Sequence, residues 1–176
     1  MKDYKIQFSG LKDGMHSFDF EVGKTFFEFF KNQNLEITSH NNGFIQVNLE
    51  LEKRDTMLVL NFSISGTVEV ACDLCMEALK APISTERRVI GKFSDEEMWY
   101  EDDIIHIPSS AFKIDIKDLL YEFISLSLPL KNVHPKGKCD SQMIEKLNEF
   151  RRVEEEEEEE EEKKIDPRWD KLKNLK

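Results

Sequence analysis

Apolar and polar residues alternate with a period of two over much of the first 95 positions, then move to helical spacing. Residues 4–9 and Ser17–Val22 alternate in this way, with Gly10 and Gly14 between them, and predict two strands. Phe26, Phe27, Phe29 and Phe30 beside Glu28 and Lys31 predict a short helix over about 25–32. Asn41-Asn42-Gly43 signals a turn. Phe44–Leu51, with Phe44, Val47, Leu49 and Leu51, and Met57–Ala71, with Leu58, Leu60, Phe62, Ile64, Val68 and Val70, predict a long antiparallel hairpin turning at Arg54-Asp55. A further strand is expected over Ile83–Phe93, a loop over Ser94–Asp103, and a short strand at Ile104–Ile107.

Helical spacing begins at Asp115. Ile116, Leu119, Leu120, Phe123, Ile124 and Leu128 recur on one face, and Pro129 bounds the segment. A last helix is expected over Ser141–Arg152. Strands first and helices afterwards predict an α+β domain, with an antiparallel, sheet-rich N-terminal part followed by helices, over residues 1–152. Glu154–Glu162 are nine consecutive glutamates, a block that repels itself and buries no apolar area, so residues 153–164 read as an acidic disordered linker. Residues 165–176 form a short C-terminal docking peptide: Asp166 can cap a helix that begins at Pro167 and carries Trp169, Leu172 and, slightly off the stripe, Leu175. That helix either folds back on its own body or serves as a helix-in-groove ligand for another molecule, with Asp166, Pro167, Arg168, Trp169, Leu172 and Leu175 as its binding residues.

The 176 residues supply material for one ordinary domain and a tail, and 13 Phe give bulky core stock. The formal net charge is −11, nearly all of it from the glutamate run, whereas the segment beyond the run carries six Lys and Arg against two Asp. A nearly neutral body, an anionic spacer and a cationic tip argue against coating of nucleic acid by a broad basic surface. The spacer suits a basic protein, and the tip can still touch RNA. No apolar stretch reaches the length of a membrane span, and the first residues open a strand rather than a signal peptide, so a cytoplasmic location is expected.

Three cysteines, two of them close together, fit thiols or metal ligands better than a disulfide frame. Cys72-Asp73-Leu74-Cys75 follows a strand, and two thiolates at this spacing can chelate one Zn²⁺. His134 and Cys139 would complete a Cys₃His set, although 58 residues separate Cys75 from His134. Two other readings stand beside zinc: reduced cysteines packed as small hydrophobes, and a thioredoxin-like redox pair with a helix beginning at Met76, which Pro82 would cut short. His16, His40 and His106 are isolated and read as surface or strand residues. Asp95, Glu96, Glu97, Glu101, Asp102 and Asp103 could bind divalent metal in an RNA-processing nuclease, but a solvated acidic loop lacks the fixed geometry of a two-metal site. No phosphate-binding loop, nucleophile elbow or His-Glu-x-x-His motif occurs, so no catalytic residue and no small-molecule substrate is assigned.

Four ordered motifs carry a family resemblance: Val70-Ala71-Cys72-Asp73-Leu74-Cys75-Met76-Glu77; Asp102-Asp103-Ile104-Ile105 followed by Ile114-Asp115-Ile116; Leu126-Ser127-Leu128-Pro129-Leu130 with Val133-His134-Pro135 and Cys139; and Asp166-Pro167-Arg168-Trp169-Asp170-Lys171-Leu172. Together, over roughly residues 60–176, the chain resembles the YceD family, bacterial and plastid proteins tied to accumulation of large-subunit ribosomal RNA. The resemblance implies a non-enzymatic role in synthesis, processing or stability of that RNA, with a ribosomal protein or the RNA itself as partner. It singles out Cys72, Cys75, His134, Cys139 and the terminal peptide. The nine-glutamate run departs from the family pattern. A metal-dependent nuclease and a zinc-stabilised structural module without a ribosomal role are the competing readings.

Overall fold

Alternation of apolar and polar side chains becomes strand wherever one face can be buried, and the computed structural model shows this over most of the first 115 positions. The structure describes residues 4–31, 43–95, 97–101 and 103–150. The elements of the larger of two compact units are β1 (Lys5–Gln7), β2 (Gly14–Val22), α1 (Lys24–Lys31), β3 (Gly43–Lys53), β4 (Met57–Ala71), β5 (Ala78–Ser94), β6 (Trp99–Glu101), β7 (Ile104–Pro108), β8 (Lys113–Asp115) and α2 (Lys117–Ser127). Six strands form one sheet in the order β2-β3-β4-β5-β7-β6, and β1 pairs with β8 in a separate two-stranded sheet. The fold is α+β, sheet first and helices after, as the change of period predicts.

The expected hairpin is the backbone of this sheet. β3 and β4 pair from Gly43↔Val68 to Lys53↔Leu58, and the Arg54 amide closes the turn on the Met57 carbonyl at 2.9 Å. On β4 the alternating residues Leu58, Leu60, Phe62, Ile64, Val68 and Val70 all face the core. On β3 the buried parity is Ile45, Val47, Leu49 and Leu51, and Phe44 is 56% exposed. Phe44 therefore belongs to the opposite face from the one its apolar character suggests, and Ile45 takes the core position. One residue of parity decides this, because side chains alternate across the sheet.

Helices cover the inner face. α1 contributes Phe26, Phe27 and Phe30, and α2 contributes Leu119, Leu120, Phe123 and Ile124, all buried. Phe62 meets Phe123 edge-on at 5.4 Å between ring centroids, and Phe30 stacks on Tyr121 at 4.0 Å. Each such ring buried from water contributes about 1.5–3 kcal/mol. The first amide of α2 is satisfied by Asp115, whose carboxylate accepts from Lys117 N–H at 3.0 Å. Leu128 is already extended (ψ 137°), as the residue before a proline prefers, so Pro129 ends the helix.

Three expectations change. The strand expected from Ile83 begins at Ala78, so the segment after Met76 is strand rather than the helix a thioredoxin-like motif requires. Pro82 is tolerated because β7 pairs only with Ile90–Ser94, so among the described residues no strand lies on that side of β5 around Pro82. The sheet is also not wholly antiparallel: β7 runs parallel to β5, reached through β6. Third, the expected acidic loop contains β6, whose Trp99 ring lies flat on His106, with centroids 3.9 Å apart and planes 4° from parallel. β8, a three-residue strand, is too short to register in the periodicity. The Asn41-Asn42 part of the predicted turn, the linker 153–164 and the peptide 165–176 lie outside the described residues.

The second unit comprises Cys72–Glu77 together with the chain from Val133 onward. Its regular element among the described residues is a helix, α3, over 141–150, within the range the sequence predicts. Asp140 caps it: its side chain accepts from Met143 N–H at 2.8 Å, and its carbonyl accepts the Ile144 amide at 3.1 Å.

Gly66 offers a direct check of the β3–β4 register. Its φ is +155°, and a Cβ placed there would lie 2.2 Å from the Phe44 carbonyl oxygen and 2.7 Å from Ile45 Cα, both backbone atoms that cannot step aside. Gly66→Ala is expected to destabilise the protein by about 1–3 kcal/mol or more. Urea denaturation read by circular dichroism measures this, and an unchanged midpoint would rule the register out.

Candidate metal centre

The knuckle between β4 and β5 is built by backbone hydrogen bonds that turn the chain within six residues. Cys72 N–H donates to the Glu77 carbonyl at 2.8 Å, and Met76 N–H returns to the Cys72 carbonyl at 2.9 Å. Met76 takes a left-handed conformation, φ 63°, the conformation that lets the chain reverse after the second cysteine. Cys72 and Cys75 are both buried. The second half of the site is a tight turn in His134-Pro135-Lys136-Gly137-Lys138-Cys139. Lys138 N–H donates to the Pro135 carbonyl at 3.0 Å, and Gly137, at the third position of that turn, has φ +79°. A type II turn demands positive φ there, which is why a glycine sits between the two ligands.

These two turns bring together all four residues singled out from the sequence. Cys72, Cys75, His134 and Cys139 each offer a ligand atom, and the four atoms lie within 4.8 Å of one another. Cys72 Sγ is 3.9 Å from Cys139 Sγ, Cys75 Sγ is 3.5 Å from His134 Nδ1, and Cys139 Sγ is 4.0 Å from the same nitrogen. Zinc bonds of about 2.3 Å to sulfur and about 2.0–2.1 Å to nitrogen set tetrahedral edges of about 3.8 Å for S···S and about 3.6 Å for S···N. These three separations lie within about 0.4 Å of those edges, and no two of the four donor atoms are more than 4.8 Å apart, so the donor set fits a small tetrahedral ion by identity and number and comes near it in spacing. A disulfide would need sulfurs at about 2.0 Å, and all three cysteines are free thiols.

The electrostatics of the cluster are uneven. Burial pushes the Cys72 thiol up, but hydrogen bonds from the Cys75, Leu74 and His134 backbone amides and the Cys75 side chain outweigh it, and the thiol falls to about 6. Burial pushes the Cys139 thiol up, hydrogen bonding with Cys72 and Cys75 and their charge add to it, and it reaches about 11. A pocket that already holds one thiolate resists a second negative charge until a cation enters.

The other candidates do not converge in this way. Among the described residues, the group of three or more His, Cys, Asp or Glu side chains at ligating distance is this Cys₃His set, and Asp95, Glu97, Glu101 and Asp103 belong to no such group. Glu96 and Asp102 lie outside the described residues. His16 sits on β2 with its Nε2 2.7 Å from the Lys12 carbonyl, and His106 sits on β7 against Trp99. His40 and the terminal peptide lie outside the described residues. Leu74, Val133 and Ile144, which line a cleft beside His134 and Cys139, carry no sequence signal beyond being apolar residues near the ligands.

A family model described as "Large ribosomal RNA subunit accumulation protein YceD" matches residues 60–176, two thirds of the chain, including all four ligands and the terminal peptide. No curated protein and no solved structure matches the chain.

Metal loading must drive the proton off Cys139, which is a thiol at neutral pH, whereas Cys72 is already a thiolate above about pH 6. The sign follows: affinity rises with pH, by about tenfold per pH unit for each proton released between pH 7 and 8. Titration with Co²⁺, read by thiolate-to-metal absorption, checks this, and an affinity flat across that range would contradict the assignment of Cys139 as a ligand.

Proposed function

We propose, since the chain belongs to the YceD family, that it supports accumulation of large-subunit ribosomal RNA without catalysing a reaction, by binding a ribosomal protein or the RNA during assembly in the cytoplasm. The observation that carries this reading is the Cys₃His centre inside the matched region. A site with three thiolates and one imidazole at tetrahedral spacing fills all four positions of a zinc ion, and a closed site leaves no place for a reacting water. Zinc held there by Cys72, Cys75, His134 and Cys139 would act as a structural cross-link, joining the knuckle to the chain that follows Val133. It would supply folding energy to a small unit that has little apolar core of its own.

In this reading the second unit is the contact element. Glu154–Glu162 would tether the terminal segment, whose Arg168, Lys171 and Lys173 supply positive charge for an anionic partner. The lowered Cys72 thiol belongs to metal binding rather than to redox exchange, because the helix that a thioredoxin-like pair requires is replaced by β5.

Cells lacking the protein are expected to accumulate less large-subunit than small-subunit ribosomal RNA. The wild-type chain should restore the ratio and Cys72→Ser/Cys75→Ser should not. Equal rescue by that double variant would overturn the role of the metal centre. Affinity capture of large-subunit components should weaken when residues 154–176 are removed, and capture unaffected by the truncation would exclude the terminal segment from the contact. A nuclease would instead show metal-dependent RNA cleavage by the purified protein that is lost in Asp102→Asn/Asp103→Asn.

A further inference from the structure

The second unit leaves an apolar surface that the described residues do not cover. A cleft of about 460 Å³ opens beside the metal ligands, lined by Leu74, Val133, Pro135 and Ile144 together with His134 and Cys139. Along α3 the apolar residues Met143, Ile144, Leu147 and Phe150 fall at helical spacing on one stripe. Ile144 and Leu147 are half-buried, while Met143 is 37% and Phe150 70% exposed. A cleft and an adjoining helix stripe of this kind are the receptor half of a helix-in-groove contact.

We propose that this groove is the seat of the chain's own terminal peptide, residues 165–175, with Trp169 in the cleft and Leu172 and Leu175 continuing along α3. Three observations select this occupant. The first is reach. Residues 151–164 separate the end of the described helix from the peptide, and a chain of that length spans up to roughly 50 Å when extended. Along α3, Ile144 lies only ~9 Å before Phe150. A tether much longer than the gap presents the peptide at an effective concentration in the millimolar range, so a weak groove is filled within one chain. The second is shape and chemistry. The peptide carries one Trp and two Leu, and the stretch that joins it to the described helix is dominated by the nine glutamates Glu154–Glu162 followed by Lys163 and Lys164, so along the sequence after α3 it is the segment that offers large apolar side chains to the groove. The third is charge. Among the described residues of the second unit Asp73, Glu77, Asp140, Glu145 and Glu149 outnumber Lys136, Lys138 and Lys146, and the segment beyond the glutamate run is strongly basic.

Docking gives the spacer a structural consequence. The glutamates form a closed loop whose two ends are fixed on one small unit, and Arg168, Lys171 and Lys173 are held in a fixed position beside the metal centre. The peptide's Trp and Leu side chains are then consumed within the chain, and the cations around them, Arg168, Lys171 and Lys173, rim the groove. The proposal uses the fold of the second unit and does not depend on the ribosomal role.

The full chain labelled with 5-fluorotryptophan tests it. Two ¹⁹F resonances are expected, from Trp99 and Trp169, assigned by Trp169→Phe. The Trp169 resonance should be displaced from its position in a synthetic peptide of residues 163–176, and dilution should not move it. Ile144→Glu should return it to the free-peptide position while the Trp99 resonance and the metal content stay unchanged. If Ile144→Glu lowers the metal content, Met143→Glu at the rim should produce the same return. A Trp169 resonance at the free-peptide position in the wild-type chain overturns the proposal. So does a resonance that shifts on dilution, which would place the peptide on a second copy, or one that neither groove variant alters.

Discussion

Four donor atoms from two turns far apart in the chain meet within 4.8 Å of one another in the second unit, and the candidate site depends on that meeting. Sulfurs and an imidazole nitrogen at 3.5–4.0 Å from one another do not attract strongly by themselves. Left without a cation, the cluster lowers the Cys72 thiol to about 6 through hydrogen bonds and raises the Cys139 thiol to about 11 through burial and the neighbouring sulfurs. A divalent ion removes that conflict. The left-handed Met76 and the positive-φ Gly137 are backbone costs accepted to aim the ligands, and both lie within two residues of a cysteine.

The larger unit obeys a different constraint. Its order comes from burial on one face of a six-stranded sheet, with Leu58, Leu60 and Phe62 inward on β4 and the aromatic residues of α1 and α2 against them. Among the described residues it brings together no comparable group of ligating side chains. Chemistry and core are therefore divided within the chain: hydrophobic burial builds the scaffold, and two turns bring together the Cys₃His donor set of the candidate site. The candidate site lies within the region that matches the family described by large-subunit ribosomal RNA accumulation.

Much of this was legible from residues alone. β4 was readable because its apolar positions alternate over most of its fifteen residues, with Val59 and Gly66 as the exceptions. α2 was readable because its apolar spacing ends at a proline. The four donor residues were readable as candidates, from Cys-x₂-Cys with a later His-x₄-Cys, but their meeting was not, because spacing of 58 residues says nothing about distance. β6 and β8 are three residues each, and period two cannot show in three. The parallel pairing of β7 with β5 depends on the path of the chain through β6, which no local pattern encodes. Phe44 misled because an aromatic residue at a strand start looks like core, when parity assigns that place to Ile45. The cleft beside the ligands is assembled from single apolar residues in three segments, and none of them is a motif.

The central claim is that Cys72, Cys75, His134 and Cys139 hold one metal ion that organises the second unit. Metal analysis of the full chain purified without oxygen, paired with native mass spectrometry, tests it most directly. One zinc per chain is expected, falling to none in the Cys72→Ser/Cys75→Ser variant. Clearly substoichiometric metal that added zinc does not restore would contradict the account.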